Sequence, residues 1–263
     1  VFAPFPTDSI GLIVVEAMAV HGNKSGPLLR LSEDRYIPGL RELTREVHDT
    51  SESKIVPQII HFLKLSRSGW RQKVQDLSKE DIKLIIKQFG QAAYRARQAE
   101  FDGVELHMAH AYTVSSFLSM QNKRHDAYGG RTLEDRMRVM GEIITTVRRE
   151  VGDDFAVGVR FDGEEGIKKG YTLVDSREFA LRMAQLGVDY ISISAGGKFE
   201  DAIIRPGHIV YPYTGYSGDK CMPGDHYPDA TNLYLAEGIK KFINDRGYNV
   251  PLVSAGKISK PEL

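Results

Sequence analysis

The sequence predicts an α/β protein with the fold of a (β/α)8 barrel. Short apolar runs alternate with amphipathic helical segments along the chain, which is typical of parallel strands joined by helices. The length of 263 residues suits one such barrel. No G-x-G-x-x-G turn follows the first clear strand, so nothing favours the competing doubly wound sheet. We therefore expect a single barrel domain over residues 1–263.

Six strands are predicted from short runs rich in Val and Ile, apolar on both faces as parallel strands covered on both sides are. They span residues 12–20, 55–62, 103–109, 156–161, 190–194 and 251–255. A stub at residues 1–4 lies too close to the first of them, because a parallel crossover needs a dozen or more residues. No eighth strand is visible. We therefore expect a fragment of a barrel, with its first and last parts and some loops missing from this chain.

The helices between the strands begin with side chains that can cap a first turn. The predicted cap pairs are Ser78 with Asp81, Thr132 with Asp135, and Asp175 with Glu178. Gly187 and Gly247 follow the apolar stripes of two helices and predict their ends, since glycine readily adopts the left-handed conformation found there.

Composition excludes several classes of protein. The chain is 41% hydrophobic and 27% charged, which argues against disorder. Its 35 basic residues balance 35 acidic residues, so we expect no nucleic-acid partner. The apolar runs are too short for a membrane span and no signal peptide is readable. A single cysteine, Cys221, excludes an internal disulfide or an iron–sulfur cluster held by this chain, and we expect a cytoplasmic protein that could form homo-oligomers.

The candidate active-site residues lie where predicted strands end, as expected for a barrel enzyme. His107, His110 and Tyr112 follow one strand. The two histidines could bind a metal with His61 and Asp162, which would indicate a metal-dependent barrel hydrolase or lyase. They could also be a structural pair. Alternatively, they donate hydrogen bonds to a substrate carbonyl while the Tyr112 phenol delivers a proton.

Other strand ends carry further polar candidates. Arg160 ends a buried strand and should face an anionic or electron-rich partner, unless it pairs with Asp162 or Glu16. Gln58 offers an amide that donates and accepts at once. The pair Gly256-Lys257 suits a phosphate group, because flexible backbone N–H groups and a cation lie together there.

One long stretch resembles a known family. It contains the segments Phe101-Asp-Gly-Val-Glu-Leu-His-Met-Ala-His-Ala-Tyr112, Phe117-Leu-Ser, Asn122-Lys-Arg-His-Asp-Ala-Tyr-Gly-Gly130 and Glu134-Asp-Arg136. These are similar to segments of the old yellow enzyme family of FMN-dependent ene-reductases, and in particular of its NADH:flavin oxidoreductase and 2,4-dienoyl-CoA reductase branch. The resemblance implies a (β/α)8 barrel with non-covalent FMN, reduced by NADH or NADPH.

The resemblance also implies roles for individual residues. Segment Ala3-Pro4-Phe5 and residue Ala17 would contact the flavin ring. Gln58 would bond the pyrimidine edge, and Arg160 would lie near N1 and O2 of the ring. Gly256, with Lys257 beside it, would hold the phosphate.

For substrate, the resemblance implies an enone or an enoyl- or dienoyl-CoA. His107 and His110 would bind its carbonyl oxygen, and Tyr112 would protonate the α-carbon while the reduced flavin supplies hydride to the β-carbon. An iron–sulfur cluster and a second flavin, known in larger members, could lie only outside this chain.

Two loops also carry expectations. The loop at residues 196–229 is long and predicts a lid over flavin and substrate. Arg124, Asp126, Arg131 and Arg136 predict an ion-pair lattice that shapes the loop before the next helix.

Overall fold

Parallel strands form one sheet in the order β2-β1-β3-β4-β5-β6-β7. The computed structural model describes residues 10–23, 28–64, 72–197 and 220–260. The strands within these residues are β1 Leu12–Ala19, β2 Leu29–Arg30, β3 Lys54–Ile60, β4 Gly103–Met108, β5 Ala156–Asp162, β6 Tyr190–Ser194 and β7 Leu252–Ser254. The predicted stub at residues 1–4 lies outside the described residues. The six predicted strands are present, with ends shifted by no more than two residues.

Helices follow most of the strands and cover the outside of the sheet. They are α1 Ile37–Thr50, α2 Lys79–Gln98, α3 Thr113–Leu118, α4 Leu133–Val151, α5 Leu173–Gln185 and α6 Leu233–Asn244. Helix α1 was not predicted, although Pro38 in its first turn is a common helix-start residue and Ile37, Leu40 and Val47 recur at helical spacing. Helix α3 and strand β2 are too short to show a periodic pattern.

The central strands were predicted to carry apolar side chains on both faces of the sheet. Both faces are shielded from solvent, but only one of them is apolar. Val104, Leu106, Val159 and Ile193 are fully buried members of the hydrophobic core that the helices share. The opposite face is polar, and its residues on β4, β5 and β6 are Glu105, His107, Arg160, Asp162, Tyr190, Ser192 and Ser194. The alternation has period two, as in any strand, so every second side chain points away from the helices.

The strand register stacks these polar residues in layers. Glu105 on β4 pairs with Gly158 on β5, which pairs with Tyr190 on β6. The next layer contains His107, Arg160 and Ser192. Residues in register on neighbouring parallel strands share a face of the sheet, so each layer brings its side chains together.

The predicted helix caps are largely confirmed. The Asp81 N–H donates to Ser78 Oγ at 3.0 Å, and the Asp135 N–H donates to Thr132 Oγ1 at 3.1 Å. The third prediction is wrong, because α5 begins one turn earlier with Thr172 as its cap. Asp175 is not the cap but the third helical residue, whose carboxylate accepts the Thr172 N–H at 3.3 Å.

The ends of two helices and part of the ion-pair lattice agree with the sequence. Gly187 has φ +74° and Gly247 has φ +84°, as helix-ending glycines should. Arg124 pairs with Asp126 at 2.5 Å, but Arg136 reaches Asp175 on α5 at 2.9 Å.

Arg131 lies apart from this pairing, since it donates to a ring nitrogen of His125 at 3.0 Å. The lattice therefore ties α4 to α5 as well as shaping the loop. No helix in the described part of the chain has the length and apolar character that crossing a bilayer requires.

Candidate active site

The predicted catalytic residues lie on a sharp turn that follows β4. His110 and Ala111 both have positive φ, at 61° and 62°, which is rare for residues with a side chain. The Asp162 carboxylate holds this turn, because its Oδ2 accepts the His110 backbone N–H at 2.8 Å. Gly197 forms a single bridge to His110 on the other side, where a Cβ would lie 2.4 Å from the His110 carbonyl carbon. The turn directs the chain back across the carboxyl end of the sheet and into α3.

The structure brings the three predicted catalytic side chains together. The ring centroids of His107 and His110 are 5.1 Å apart, and those of His107 and Tyr112 are 5.4 Å apart. Phe62, after β3, packs its ring edge-on against Tyr112 at 4.9 Å. His107 is buried with 5% exposure, whereas the His110 side chain keeps 18%. An imidazole pair and a phenol thus lie side by side at the carboxyl end of the sheet.

Both imidazoles are neutral at physiological pH. Burial, with smaller contributions from His110 and Arg160, holds the pKa of His107 well below its usual value. Burial and the nearby Arg160 charge lower the pKa of His110 to about 3. A neutral imidazole carries one N–H donor and one acceptor nitrogen.

A hydrogen bond from the backbone assigns the donor nitrogen of His107. The Ala109 N–H donates to His107 Nδ1 at 3.3 Å, so the proton of His107 is on Nε2. Ser194 Oγ accepts from Arg160 Nη2 at 3.4 Å and lies 2.7 Å from His110 Nε2. The Ser194 hydroxyl can donate to His110 Nε2 or accept from it, because its oxygen has two lone pairs, so this contact fits either tautomer of His110. His107 thus carries its N–H on Nε2, and His110 carries one N–H on either of its ring nitrogens.

A second imidazole pair lies at the ends of β1 and β3. The ring centroids of His21 and His61 are 4.6 Å apart. His61 Nδ1 lies 2.8 Å from Thr113 Oγ1, and the Phe62 N–H donates to His21 Nε2 at 3.2 Å. Burial lowers the pKa of His21 to about 4 and that of His61 to about 3. His21 was not predicted as a site residue, although it directly follows a predicted strand, where the other candidate residues also lie.

Arg160 is the charged group of the layer that contains His107. Its guanidinium donates to Ser192 Oγ at 3.0 Å and Ser194 Oγ at 3.4 Å. Within the described ranges, no carboxylate lies within ion-pair distance of it, so the alternative pairing with Asp162 or Glu16 is not observed. A cation held only by hydroxyl groups can attract an electron-rich ligand.

The remaining predicted cofactor residues lie at other strand ends, apart from Ala3, Pro4 and Phe5, which fall outside the described residues. Gln58 Nε2 donates to Glu105 Oε1 at 2.6 Å, deep in the polar face. Ala17 is half-buried in β1, where the register shifts between Val15 and Met18. Most of the predicted lid, residues 198–219, also lies outside the described residues.

The end of β7 forms a small backbone cradle. Gly256 has φ +124°, and a Cβ there would lie 2.5 Å from Asn232 Nδ2, so only glycine fits. Ser254 Oγ is buried nearby without a hydrogen-bond partner. The Lys257 ammonium donates to the carbonyl oxygens of Asp225 and Tyr227, at 3.0 and 2.5 Å, and so holds the preceding loop.

These features fit FMN. An unpaired hydroxyl beside a glycine cradle suits a phosphate, and an arginine without a carboxylate partner suits the electron-rich ring. The metal alternative has no support in the described residues, where no group of three or more His, Cys, Asp or Glu side chains could hold an ion. Asp162, once a candidate ligand, instead anchors the turn that carries His110.

A buried acid beside this turn predicts a pH effect on stability. Burial raises the pKa of Glu165 from its ordinary 4.5 to about 7. Its contribution to stability is therefore full below pH 4.5 and is lost as the pH rises through 7. We expect the stability advantage of the native protein over Glu165→Gln to shrink by about 2–3 kcal/mol between pH 5 and pH 8. Urea unfolding of both proteins at each pH measures it.

The buried histidines also make the free energy of unfolding depend on pH, in the opposite direction. Because both proteins contain them, this effect largely cancels when the two free energies are subtracted. A stability difference that is the same at pH 5 and pH 8 contradicts this prediction.

Comparison with known proteins identifies the class of enzyme. The profile of the NADH:flavin oxidoreductase / NADH oxidase family matches residues 63–207, more than half of the chain. The chain therefore belongs to this family, the old yellow enzyme family. The predicted family is confirmed, as are FMN as cofactor and a nicotinamide nucleotide as reductant.

Individual relatives extend beyond this chain. It is 32% identical to an NADH oxidase of Thermoanaerobacter brockii over 96% of this chain but 38% of that protein. It is 36% identical to an NADPH dehydrogenase of Geobacillus sp. over 78% of this chain and 65% of that protein. The chain thus spans less than two thirds of the length of either relative.

Solved structures confirm the fold. A complex of 2-naphthoyl-CoA reductase with 2-naphthoyl-CoA superposes with a TM-score of 0.74 at 24% identity, covering 95% of this chain and 39% of the other. Old yellow enzyme structures match as well, in agreement with the predicted (β/α)8 barrel.

Proposed function

We propose that this chain, as a single FMN-binding barrel domain over residues 1–263, reduces the C=C bond of an α,β-unsaturated carbonyl compound. The substrate is an enone or an enoyl- or dienoyl-CoA, and NADH or NADPH supplies the electrons. The observation that carries the proposal is the arrangement of His107, His110 and Tyr112 at the carboxyl end of the sheet, with both imidazoles neutral. The relative that is named as a reductase of an aromatic acyl-CoA supports the thioester among these substrates.

The two histidines bind the activating carbonyl. The N–H group at His107 Nε2 and, in its Nδ1-protonated tautomer, the N–H group of His110 can both donate to one carbonyl oxygen. Because these rings resist protonation, they act as hydrogen-bond donors rather than acids, and they stabilise the negative charge that develops on that oxygen. Burial strengthens each such bond.

Tyr112 delivers the proton to the α-carbon. Its ring is held edge-on between Phe62 and His107, at 4.9 and 5.4 Å. A phenol is a weak acid, but it can donate to a carbanion that forms in the transition state. The carbonyl donors and the proton donor lie close enough to act on adjacent atoms of one substrate.

The cofactor is held by the groups on the polar face and the strand ends. Gln58 and Arg160 would bind the ring, and Gly256 the phosphate, with Ala3, Pro4, Phe5 and Ala17 along the ring and Lys257 stabilising the loop at the phosphate end. Bound FMN supplies the hydride chemistry, whereas the chain supplies position and charge.

The proposal is tested by adding FMN to the protein under anaerobic conditions. NADH or NADPH is expected to bleach the flavin absorbance, and an added enone or enoyl-CoA is expected to restore it. Flavin that is bleached but is not reoxidised by any activated alkene, while oxygen restores it, overturns the C=C proposal and leaves the family assignment intact.

The histidine pair carries its own prediction. His107→Phe with His110→Phe removes two donors to the substrate oxygen, because a phenyl ring has no N–H group. The Kd of an enone for the oxidised protein should then rise about 10- to 100-fold, since each neutral hydrogen bond contributes about 0.5–1.5 kcal/mol. The matched control is His48→Phe, which replaces an imidazole on α1 that is paired with Asp102 outside the barrel. Equal affinity in the double variant and the control contradicts the assigned role.

A further inference from the structure

A buried carboxyl group lies one layer below the catalytic histidine. Glu105 is 2% exposed and stands on β4 two residues before His107. Its Oε1 accepts from Gln58 Nε2 at 2.6 Å, and its Oε2 accepts from the Tyr190 hydroxyl at 3.1 Å. Glu105 has no part in the proposed binding of the carbonyl or in the proton transfer from Tyr112.

The contact with Tyr190 spans two strands and depends on a glycine. Glu105, Gly158 and Tyr190 are in register on β4, β5 and β6. A Cβ at Gly158 would lie 2.1 to 2.6 Å from atoms of the Tyr190 ring. Because Gly158 has no side chain, the Tyr190 ring can lie over β5 and reach the Glu105 carboxyl group. Four neighbouring strands, β3 to β6, thus contribute one residue each to this layer: Gln58, Glu105, Gly158 and Tyr190.

The partners of Glu105 suit its ionised form. The Gln58 amide nitrogen can only donate, and the Tyr190 hydroxyl also donates, so both carboxylate oxygens act as acceptors. Arg160 adds a favourable charge interaction from β5. Burial opposes these effects and raises the pKa of Glu105, so the carboxylate is best tested at mildly alkaline pH.

This carboxyl group acts on two residues that belong to the cofactor site. It uses one Gln58 amide hydrogen, which sets the orientation of the amide and leaves its oxygen and second hydrogen for a ligand. It also places a negative charge near Arg160, which has no carboxylate within ion-pair distance in the described residues. The positive field that Arg160 exerts on a ring bound above it is thereby reduced.

We propose that Glu105 is a positioning residue that orients Gln58 and counterbalances the charge of Arg160, and so sets how strongly the site prefers reduced over oxidised FMN. The inference rests on FMN binding at this face of the sheet. The reduced ring carries more negative charge at alkaline pH, so a less compensated Arg160 favours the reduced form.

The test compares the Kd of oxidised FMN with that of reduced FMN at pH 8. In Glu105→Gln the ratio of the two constants should shift about tenfold toward the reduced form, which for a two-electron couple is a rise of about 30 mV in midpoint potential. Tyr190→Phe retains the carboxylate, so its ratio should stay within about threefold of the native value. The double variant should match Glu105→Gln.

A matched pair outside the barrel provides the control. Tyr128 donates to Glu142 at 3.1 Å, the same distance as in the buried pair. Glu142→Gln should leave the ratio unchanged. If Glu105→Gln does not fold, Glu105→Met, which fills the same space without charge, carries the same expectation.

Two outcomes are distinguishable. A native protein that does not bind FMN overturns the cofactor assignment on which the inference rests. A native protein that binds FMN, together with a Glu105 variant whose ratio stays within twofold of the native value, overturns the role of Glu105 alone.

Discussion

Tyr112→Phe should lower the rate of alkene reduction by about 10²- to 10⁴-fold, the range that a positioned general acid contributes. Reduction of the flavin by NADH or NADPH should change by less than about threefold, because that half-reaction needs no proton from the phenol. The phenylalanine ring keeps the edge-on contacts with Phe62 and His107, so the fold and the carbonyl donors should be preserved.

Rapid mixing separates the two half-reactions. The first follows flavin bleaching by the nicotinamide nucleotide, and the second follows reoxidation of the reduced protein by an enone. Tyr94→Phe, at a half-exposed tyrosine on α2, serves as the matched control. Reoxidation at the native rate in Tyr112→Phe removes this residue from the mechanism.

Gly158→Ala should destabilise the protein by about 4 kcal/mol. The new methyl group would lie 2.1 to 2.6 Å from the Tyr190 ring, so the ring or strand β5 must move. Overpacking a core typically costs about 1–3 kcal/mol. Loss of the Tyr190 bond to the Glu105 carboxylate adds about 1.5–3 kcal/mol. Urea unfolding of the native and variant proteins measures the change.

A second substitution at the same contact tests the cause. Gly158→Ala combined with Tyr190→Ala removes the ring that the methyl group strikes. The double variant should therefore be more stable than the sum of the two single changes by at least about 1 kcal/mol, a coupling typical of residues in contact. Additive effects would show that the glycine is needed for some reason other than the crossing tyrosine.

Many residues of the candidate site could be predicted from local sequence patterns. The spacing of His107, His110 and Tyr112 after an apolar run marked a strand end with donors and a weak acid, and the surrounding motif pointed to the correct family. Two of three helix caps were correct because a cap and its partner lie within one turn of each other.

The third cap shows the limit of such local patterns. Thr172 and Asp175 form the same type of pair as the one predicted three residues later, and the two are hard to separate by spacing alone. The prediction that the strands are apolar on both faces failed for a related reason. Glu105, Arg160 and Tyr190 are polar residues within short apolar runs, and a run of five to seven residues shows too few periods to reveal its polar face.

Local patterns along the chain thus predicted the alternation of strands and helices, two of the three helix caps, the candidate residues His107, His110 and Tyr112, and the family. Tertiary structure alone determined that Glu105 meets Tyr190 across Gly158, that the His21 ring packs against His61, and that Asp162 holds the turn carrying His110. These contacts join strands separated by whole helices. Their partners are chosen by the register of parallel strands, which depends on the packing of the entire sheet and not on any short stretch of residues.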